Sequence, residues 1–384
     1  MKVYRVSTVP LAILGYGSHF EALASNEKLN LTILTTKDNY YDHISKLRNV
    51  ETIPVTIKRE ISLIYDLFSL IRLIFIFVKN RPDIVHSSTP KAGLLVALAG
   101  FIAGVPTRVH TYTGQRWITQ KGFSRKLGFY LDKLILFLNT KCLADSHGQA
   151  RFLNKAFRYK KKIAVIRKGS FGGIDFKKTS DIASNIDRRK EREALGFCEE
   201  DYVFLYLGRV TKEKGIQELI DAFFKLRKTS PRSRLLVVGP YERELDPLDE
   251  KYHFEYLNSN HIDKLGFSNE VIKLMMVCDC FVLPSYREGF GTVVLEAASL
   301  GRPSIVSNIY GLKSIVEHKK TGLICKVRNS KSLLENMVFA VENKEMMKAL
   351  GSESRNLAYK NFDYKLISDD LIDFYRSFYV KAKL

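Results

Sequence analysis

Two glutamates flank a glycine-containing loop in the second half of this 384-residue chain. Glu288 lies in the loop, and Glu296 lies on the first turns of a helix that is predicted to begin near Thr292. The loop continues as Gly289, Phe290 and Gly291. A helix start directs backbone N–H groups and the positive end of its dipole toward anionic oxygens. Carboxylates accept hydrogen bonds from hydroxyl groups, so the pattern suits a ligand with hydroxyls on both sides of a phosphate. The alternative is an ordinary strand, turn and helix with two solvated glutamates.

A second segment offers the positive charge that a phosphate requires. Arg209 and Lys214 straddle a turn between the first predicted strand of the second half and its first predicted helix. The planar fork of arginine and the point charge of lysine together suit a diphosphate. Alone, the segment could be an ordinary basic turn. Because both segments follow strands in the same half of the chain, together they favour a site for a nucleotide sugar.

The elements that must position these side chains alternate between strand-like apolar runs and helical patterns, which is typical of parallel β–α–β units. In the first half the predicted strands are Val3–Pro10, Leu29–Thr36, Asp83–Ser88, Thr107–Thr113, Cys142–Ser146 and Ile163–Arg167. In the second half they are Tyr202–Leu207, Arg234–Val238, Cys278–Leu283, Pro303–Ser307 and Leu323–Cys325. Between these strands, the spacings of three and four in one apolar set predict a helix with one buried face, formed by Ile216, Leu219, Ile220, Phe223 and Leu226. A glycine-rich hinge at Gly169–Gly173 separates the two series. The predicted fold class is α/β, with two Rossmann-like, doubly wound parallel-sheet domains facing across a cleft, where ligands of such folds commonly bind.

The positive charge of the chain is unevenly distributed. Residues 1–168 hold 27 Lys and Arg against 10 Asp and Glu, so this half carries +17 of the net charge of +20. A one-sided basic domain implies an acidic partner, which could be nucleic acid, an anionic bilayer or a phosphate-bearing substrate. A nucleic-acid partner is disfavoured because no nucleic-acid-binding module or stacking platform is recognisable.

The longest apolar stretch runs from Ile61 to Val78. Its polar residues are Ser62, Asp66, Ser69 and Arg72. Their spacing forms one polar stripe, which predicts an amphipathic helix rather than a membrane span. Such a helix either faces the core of an α/β domain or also contacts lipid. No N-terminal segment reads as a signal peptide, and the five cysteines include no C-x-x-C pair that would suggest a zinc or thioredoxin-like site. Free, buried thiols fit a reducing cytoplasm.

These motifs resemble the retaining glycosyltransferases of family four, which have the GT-B fold. The resemblance covers most of the chain and is strongest over Tyr202–Cys325. The matching residues are Gly208, Arg209, Lys214, Glu288, Gly289, Phe290, Gly291 and Glu296, with the helix that starts at Thr292. The resemblance implies that Arg209 and Lys214 grip the donor diphosphate and that Glu288 lies by the donor sugar, all three as catalytic residues. It further implies that Glu296 binds the nucleotide ribose, that residues 289–292 contact the donor, and that no metal or other cofactor is needed.

The chain departs from the family pattern in its first half. Many members carry a histidine in a Thr-x-His-Gly run, and here Thr113 takes its place. The role given to that histidine therefore does not transfer, and His110 is interpreted as a strand residue. Thr113 and Gln115, together with Gly15 and Gly17 after the first strand, are predicted to face the acceptor.

The run Gln115–Trp117 resembles a subgroup that acts in bacterial capsule and O-antigen assembly. This implies transfer of a hexose or N-acetylhexosamine, with UDP as the preferred carrier, to a polyprenyl-diphosphate-linked glycan. Residues 1–168, joined by a C-terminal helix at about 364–384, would form the acceptor-binding, membrane-facing domain, and residues 169–363 the donor-binding domain. The basic first half then predicts a peripheral position on the anionic inner face of the bacterial cytoplasmic membrane, with no nucleic-acid partner. Docking is predicted through basic residues and either the Ile61–Val78 or the Phe152–Lys162 region.

Other interpretations stay open at this point. A non-hydrolysing sugar-nucleotide epimerase shares the two-domain architecture and is the main alternative. Gly15-x-Gly17-x-x-Phe20, with Asp38 beyond the next strand, faintly copies a dinucleotide-binding fingerprint, although phenylalanine stands where the third glycine is expected. A non-catalytic lipid-binding module is a third possibility.

Overall fold

The computed structural model describes residues 1–58, 62–158 and 163–379, and the chain divides into two compact units. Unit 1 comprises Met1–Asp175 and Phe362–Leu384, and unit 2 comprises Phe176–Asn361. The first boundary therefore lies after the glycine-rich segment Gly169–Gly173, whereas the sequence prediction places it before that segment.

Unit 1 is built on a six-stranded parallel sheet. Its strands are β1 (Lys2–Ser7), β2 (Asn30–Thr35), β3 (Glu51–Pro54), β4 (Ile84–Ser87), β5 (Thr107–Tyr112) and β6 (Lys141–Ala144). Their order is β3-β2-β1-β4-β5-β6, and β1 pairs with both β2 and β4, so that Val3 lies opposite Leu31 and Ile84. The chain first adds strands on one side of β1 and then returns to add them on the other.

The helices of unit 1 cover both faces of this sheet. Before the chain leaves the unit they are α1 (Pro10–Gly15), α2 (Gly17–Ala24), α3 (Tyr41–Ile44), α4 (Leu63–Asn80), α5 (Pro90–Ile102), α6 (Gly122–Leu138) and α7 (His147–Phe157). Crossovers between parallel strands are right-handed. When strands are added on the other side of β1, the connecting helices therefore lie on the opposite face of the sheet. The helix α5 packs against α4 and α6, so these three form one layer.

Side-chain alternation along β1 supplies two of the core clusters of unit 1. Val3 packs in one core with Phe20 of α2, whereas Tyr4 packs in the other with Phe77 of α4. All four side chains are at most 2% exposed. Strands buried on both faces explain the near-continuous apolar runs by which they were predicted.

Unit 2 repeats the same strand order. Its strands are β7 (Tyr202–Leu207), β8 (Ser233–Val238), β9 (Ile262–Leu265), β10 (Cys280–Leu283), β11 (Ser304–Ser307) and β12 (Leu323–Cys325). They form a parallel sheet in the order β12-β11-β10-β7-β8-β9. The direction of strand addition reverses between β7 and β10, which are neighbours paired at Phe281 and Leu205. Ligands of doubly wound folds bind beyond the carboxyl ends of the strands at this reversal.

The helices of unit 2 include the one whose apolar periodicity was predicted. They are α8 (Phe176–Ser184), α9 (Arg188–Ala194), α10 (Ile216–Arg227), α11 (Glu250–Asn258), α12 (Val271–Val277), α13 (Thr292–Ser299), α14 (Ser330–Glu342) and α15 (Lys344–Phe362). The apolar face predicted for α10 is confirmed, because Ile216, Leu219, Ile220, Phe223 and Leu226 are fully buried. Within the described parts of the chain, no helix of either unit combines the length and the apolarity needed to cross a bilayer.

Several predicted strands differ from the structure. The strands β3 and β9 were missed because they are short edge strands with part-exposed, polar sequences. The prediction of a strand over Ile163–Arg167 is wrong, since only Ala164 makes a bridge, to Leu143. The first strand ends at Ser7 rather than Pro10, because proline, which lacks an N–H, begins α1.

The last helix, α16 (Tyr364–Tyr379), returns to unit 1 and packs against α2. Its Tyr375 is fully buried, and the Tyr375 hydroxyl accepts a hydrogen bond from Arg5 Nη1 at 2.9 Å and lies 2.6 Å from His86 Nδ1. Arg5 Nη1 also lies 2.8 Å from His86 Nδ1, and because arginine only donates, Nδ1 must accept. Burial lowers the pKa of His86 well below its usual value, in agreement with a neutral ring. The end of the predicted helix, residues 380–384, lies outside the described residues.

The hydroxyl of Tyr375 should contribute measurably to the stability of unit 1. Tyr375→Phe removes its hydrogen bonds to Arg5 and His86 while keeping the ring, which should lower the free energy of unfolding by about 1–3 kcal/mol. Urea unfolding followed by tryptophan fluorescence reports on unit 1, because Trp117 is the sole tryptophan of the chain. The matched control is Tyr359→Phe in unit 2, whose side chain is 64% exposed. Equal midpoints for the two variants would contradict the assignment.

Candidate functional site

Two loops meet beyond the carboxyl ends of β7 and β10. The segment 208–215 follows β7, and the segment 284–291 follows β10. The backbone N–H of Tyr286 donates to the carbonyl oxygen of Glu213 at 2.8 Å, which joins the two loops directly. Gly215 has φ of 75°, and a Cβ atom there would overlap the carbonyl of Pro284. The two loops approach this closely because position 215 carries no side chain.

The contact brings together residues that are 74 positions apart in the sequence. Lys214 Nζ donates to Glu288 Oε1 at 2.6 Å, and both side chains are less than one-fifth exposed. The sequence analysis proposed a cation and a sugar-side carboxylate at these positions. The structure places them in one ion pair.

Arg209 lies in the same cluster and is also paired. Its Nη1 donates to Glu242 Oε2 at 2.6 Å, and its Nη2 donates to Glu213 Oε1 at 3.3 Å. The hydroxyl of Tyr206, at the end of β7, donates to the carbonyl oxygen of Arg209 at 2.6 Å. The backbone and the side chain of Arg209 are therefore both held in place, with one-third of the side chain exposed.

A third cation, Arg287, completes the cluster and was missed by the sequence analysis. Arg287 binds Glu213 through two bonds, from Nε at 2.9 Å to Oε2 and from Nη2 at 2.7 Å to Oε1. Glu213 thus links Arg209 on one loop to Arg287 on the other. In the sequence, Glu213 stands next to Lys214, and Arg287 stands next to Glu288. Nothing in the sequence indicated, however, that the two loops exchange ion pairs.

The helix α13 begins at this cluster, as predicted. Gly291 precedes it with φ of 92°, a conformation that favours glycine, and the first turn carries no acidic residue. Phe290 is 3% exposed and anchors the loop in the core of unit 2. Gly289 and Thr292 complete the segment that was predicted to bind the donor. The positive end of the helix dipole therefore lies beside Glu288 and its partner Lys214.

Glu296 occupies the second turn of α13. Its side chain is partly buried, and none of the described residues donates a hydrogen bond to its carboxylate. Desolvation raises the pKa of Glu296 to about 7. A carboxylate held in this state gains most from a ligand that brings its own hydroxyl donors.

The charges of the cluster balance one another. Three cations, Arg209, Lys214 and Arg287, stand against three carboxylates, those of Glu213, Glu242 and Glu288. A bare phosphate that took Lys214 would leave Glu288 without its partner. A ligand that carries phosphate and hydroxyls satisfies both, because Lys214 can bind the phosphate while Glu288 accepts from a hydroxyl.

The residues predicted on the acceptor side follow two strands of unit 1, β1 and β5. Gly15 ends α1 and Gly17 begins α2, so they lie at a helix junction rather than in a loop that follows the strand. Thr113 is exposed just after β5, whereas Gln115 is 2% exposed and accepts from Gln149 Nε2 at 3.2 Å. Gln115 therefore packs between the loop and α7.

His110 is a buried strand residue, as the sequence analysis interpreted it. Its ring is 1% exposed and its Nδ1 lies 2.9 Å from Ser87 Oγ on the neighbouring strand. Desolvation lowers the pKa of His110 to about 3, so the ring is neutral at physiological pH. Within residues 1–58, 62–158 and 163–379, no three His, Cys, Asp or Glu side chains are grouped as metal ligands.

Two protein-family models match the chain. The model described as glycosyl transferases group 1 matches residues 187–357, and the model described as glycosyltransferase family 4 matches residues 22–169. The first match contains all of the ion-paired residues of the cluster, which are Arg209, Glu213, Lys214, Glu242, Arg287 and Glu288. The second lies within unit 1.

Similar proteins carry related descriptions. The capsular polysaccharide biosynthesis glycosyltransferase CapM of Staphylococcus aureus is 32% identical over 84% of this chain and 84% of its own length. The UDP-Gal:alpha-D-GlcNAc-diphosphoundecaprenol alpha-1,3-galactosyltransferase of Escherichia coli is 27% identical over 92% of this chain and 90% of its own length. Among solved structures, HepE of Anabaena in complex with UDP-glucose superposes with a TM-score of 0.79 at 20% identity, covering 98% of this chain and all of that one. The shared fold is GT-B, as predicted.

The close approach of the two loops can be tested at Gly215. Gly215→Ala should reduce the free energy of unfolding of unit 2 by about 1 kcal/mol for the left-handed backbone and by about 1–3 kcal/mol more for the collision with Pro284. Gly196→Ala is the matched control, because Gly196 has φ of 74° and nothing within 4 Å of an added Cβ atom. Urea unfolding monitored by circular dichroism measures both. If the two variants lose equal stability, the loops are not in the contact described.

Proposed function

The chain belongs to glycosyltransferase family 4, and we propose that it moves a hexose or N-acetylhexosamine from a nucleotide-diphosphate sugar to a lipid-linked glycan, with retention at the anomeric carbon. UDP is the proposed carrier, and the proposed setting is the synthesis of a bacterial surface polysaccharide of the capsule or O-antigen type. The observation that carries the proposal is the meeting of Arg209, Lys214 and Glu288 at the start of α13. The descriptions of the Staphylococcus and Escherichia relatives support the proposed setting, and that of the Escherichia relative also supports UDP as the carrier.

The donor would bind by exchanging ion pairs. Lys214 and Arg209 bind the diphosphate, and Glu288, released from Lys214, accepts a hydrogen bond from a hydroxyl of the donor sugar. Glu213 and Glu242 keep Arg209 in position, so little reorganisation is needed as charge develops. The amides of residues 289–292 add donors to the same phosphate oxygens. Glu296 accepts from the ribose hydroxyls.

In the proposed transfer step, these charges stabilise the leaving group. The bond between the anomeric carbon and the phosphate oxygen breaks with both electrons left on the oxygen, where Arg209 and Lys214 stabilise them. The acceptor hydroxyl oxygen forms the new bond on the same face, and its proton passes to the departing phosphate oxygen. Glu213 and Glu242 are held by arginines, so neither forms with Glu288 the pair of acid and nucleophile that a double displacement requires. The side-chain cations and helix amides supply the charge compensation, so the proposal includes no metal.

Unit 1 would receive the acceptor. The positive charge of residues 1–168 suits a polyprenyl diphosphate and the anionic surface in which it sits. We therefore propose that the chain works as a peripheral protein on the inner face of the bacterial cytoplasmic membrane, without a nucleic-acid partner. Thr113, Gly15 and Gly17 remain the proposed acceptor-side residues. Gln115 would act through packing, since its side chain is buried.

The epimerase alternative gains no support, because both family models that match describe glycosyl transferases. The two activities are also separable in one assay. A transferase forms its product only when acceptor is present, whereas an epimerase converts the nucleotide sugar without acceptor.

The diphosphate assignment is tested by removing each cation. Arg209→Ala and Lys214→Ala should each remove on the order of 2–5 kcal/mol of transition-state stabilisation, which corresponds to an approximately 30- to 5,000-fold loss of kcat/KM. Transfer of radiolabelled sugar to acceptor measures the loss, and thermal unfolding shows that each variant stays folded. The control is Lys212→Ala, because Lys212 lies on the same turn but pairs with the exposed Asp249 at 2.7 Å. Normal turnover in either test variant would remove the assignment.

The ribose assignment predicts a pH dependence. With a pKa of about 7, Glu296 is mostly protonated at pH 6 and mostly ionised at pH 8. If the ionised form accepts the ribose hydroxyls, the affinity for UDP should rise about tenfold from pH 6 to pH 8. Calorimetric titration with UDP measures it, and Glu296→Gln should bind with a flatter pH profile. The same slope in wild type and variant would place the titrating group elsewhere.

A further inference from the structure

The helix α4 exposes an apolar face along its whole length. The sequence allowed either a core-facing helix or one that also contacts lipid, and the structure shows that two faces of the helix are apolar. One face carries Leu73, Ile76 and Phe77, which are at most 4% exposed. The other carries Leu63, Ile64, Leu67, Phe68, Ile71, Phe75 and Val78, which are between 54% and 83% exposed. Ile61, the first residue of the predicted stretch, lies outside the described residues.

A second exposed apolar stripe runs along α6. Its members are Phe123, Leu127, Tyr130, Leu134 and Phe137, which are between 39% and 79% exposed. They follow one another at spacings of four, three, four and three residues, so they lie on one side of the helix. The opposite side is buried at Ile135 and Leu136.

The two stripes belong to one layer of unit 1. The helix α5 packs between α4 and α6 and is largely buried, except at its carboxyl end, where Phe101 and Ile102 are about 60% exposed. We call the exposed apolar residues of α4, α5 and α6 the apolar surface. Each flanking helix is about 26 Å long, so the surface far exceeds the few scattered apolar residues that a protein usually presents to water.

Within the described residues, the exposed charged side chains of α4 and α6 are all cationic. The exposed cations on α4, on α6 and beside them are Arg72, Lys79, Arg81, Lys121, Arg125 and Lys126. The two acidic residues of these helices face inward or are paired, since Asp66 binds Lys91 and Asp132, which is 6% exposed, accepts from the indole N–H of Trp117. Basic residues that border an apolar face, without exposed acids, are typical of a surface that enters an anionic membrane interface.

The same charges disfavour a second copy of the chain as the occupant. An interface between two copies through this surface would bring like cations together, which costs free energy at each close pair. A leaflet with anionic headgroups offers opposite charge to the cations and an apolar interior to the phenylalanines. It is therefore the partner that matches both features.

We propose that the apolar surface on α4, α5 and α6 is where unit 1 docks on an anionic bilayer, with its aromatic and aliphatic side chains entering the interface and the flanking cations binding headgroups. This proposal rests on the proposed function in one respect, because a lipid-linked acceptor is met at such a bilayer. It assigns the docking to three specific helices. The segment around 152–162, which the sequence also allowed, has residues 159–162 outside the described residues.

Vesicle flotation tests the docking. Wild-type protein should float with vesicles of phosphatidylcholine containing phosphatidylglycerol, and it should float less with phosphatidylcholine alone or in 1 M salt, where screening shortens to about 3 Å. The double variants Phe68→Glu with Phe75→Glu, and Phe123→Glu with Phe137→Glu, should each reduce the bound fraction at least about tenfold. The control is Phe254→Glu with Leu257→Glu on α11 of unit 2, where both side chains are exposed to similar degrees.

The outcomes separate docking from catalysis. Docking variants should lose transfer to a vesicle-embedded acceptor and keep transfer to a short-chain acceptor in detergent, because the donor residues are untouched. Flotation of either double variant at the wild-type level would overturn the proposal. So would wild-type protein that self-associates without vesicles and becomes monomeric in these variants, because a second copy would then be the partner. Absence of transfer to both acceptors in wild type, with flotation intact, would instead contradict the proposed function.

Discussion

The adjacency of β7 and β10 is the constraint on which the candidate site depends. Parallel pairing places the carboxyl ends of these two strands side by side, and the loops that follow have to share one small volume. The backbone contact between Gly215 and Pro284, which a side chain at position 215 would prevent, then sets how closely the two loops approach each other. Every ion pair of the cluster forms across this contact or next to it. The loop glycine and the strand order are therefore as much part of the site as the charged side chains.

The cluster is electrically balanced, and this shapes the kind of ligand that it can accept. A site with unpaired cations would bind any phosphate. Here each cation has a carboxylate partner. A ligand that binds the cation displaces this carboxylate, so the ligand also has to offer the carboxylate a hydrogen-bond donor. Glu213 has a different role from Glu288, because two arginines from two loops hold it, whereas Lys214 is the one described side chain that binds Glu288. The network thus has a fixed part that positions Arg209 and a part that can open.

Unit 1 has the same strand order as unit 2, but its polar and charged residues are arranged differently. Its interior holds a neutral polar network of Arg5, His86 and Tyr375, which attaches the last helix of the chain to the sheet. Its exterior carries basic and apolar side chains together on one helical layer. Evenly spread positive charge would only attract anions, whereas charge bordering an apolar surface also favours entry into an interface. The net charge of +17 in residues 1–168 does not by itself identify a partner. The placement of exposed cations beside the apolar surface is what favours an anionic bilayer.

The sequence by itself determined the α/β class, most of the central strands, the buried face of α10 and the family. It did so because buried parallel strands read as apolar runs and because the short motifs around Arg209, Lys214, Glu288 and Glu296 match the pattern of the family. It could not show the edge strands β3 and β9, whose exposed, polar composition lacks that signal. It could not show the Glu213 and Arg287 bridge either, since the partners lie 74 positions apart and meet through strand order. Which of the two apolar faces of α4 packs inward was likewise decided by the tertiary structure, because periodicity records that a face is apolar but not what covers it.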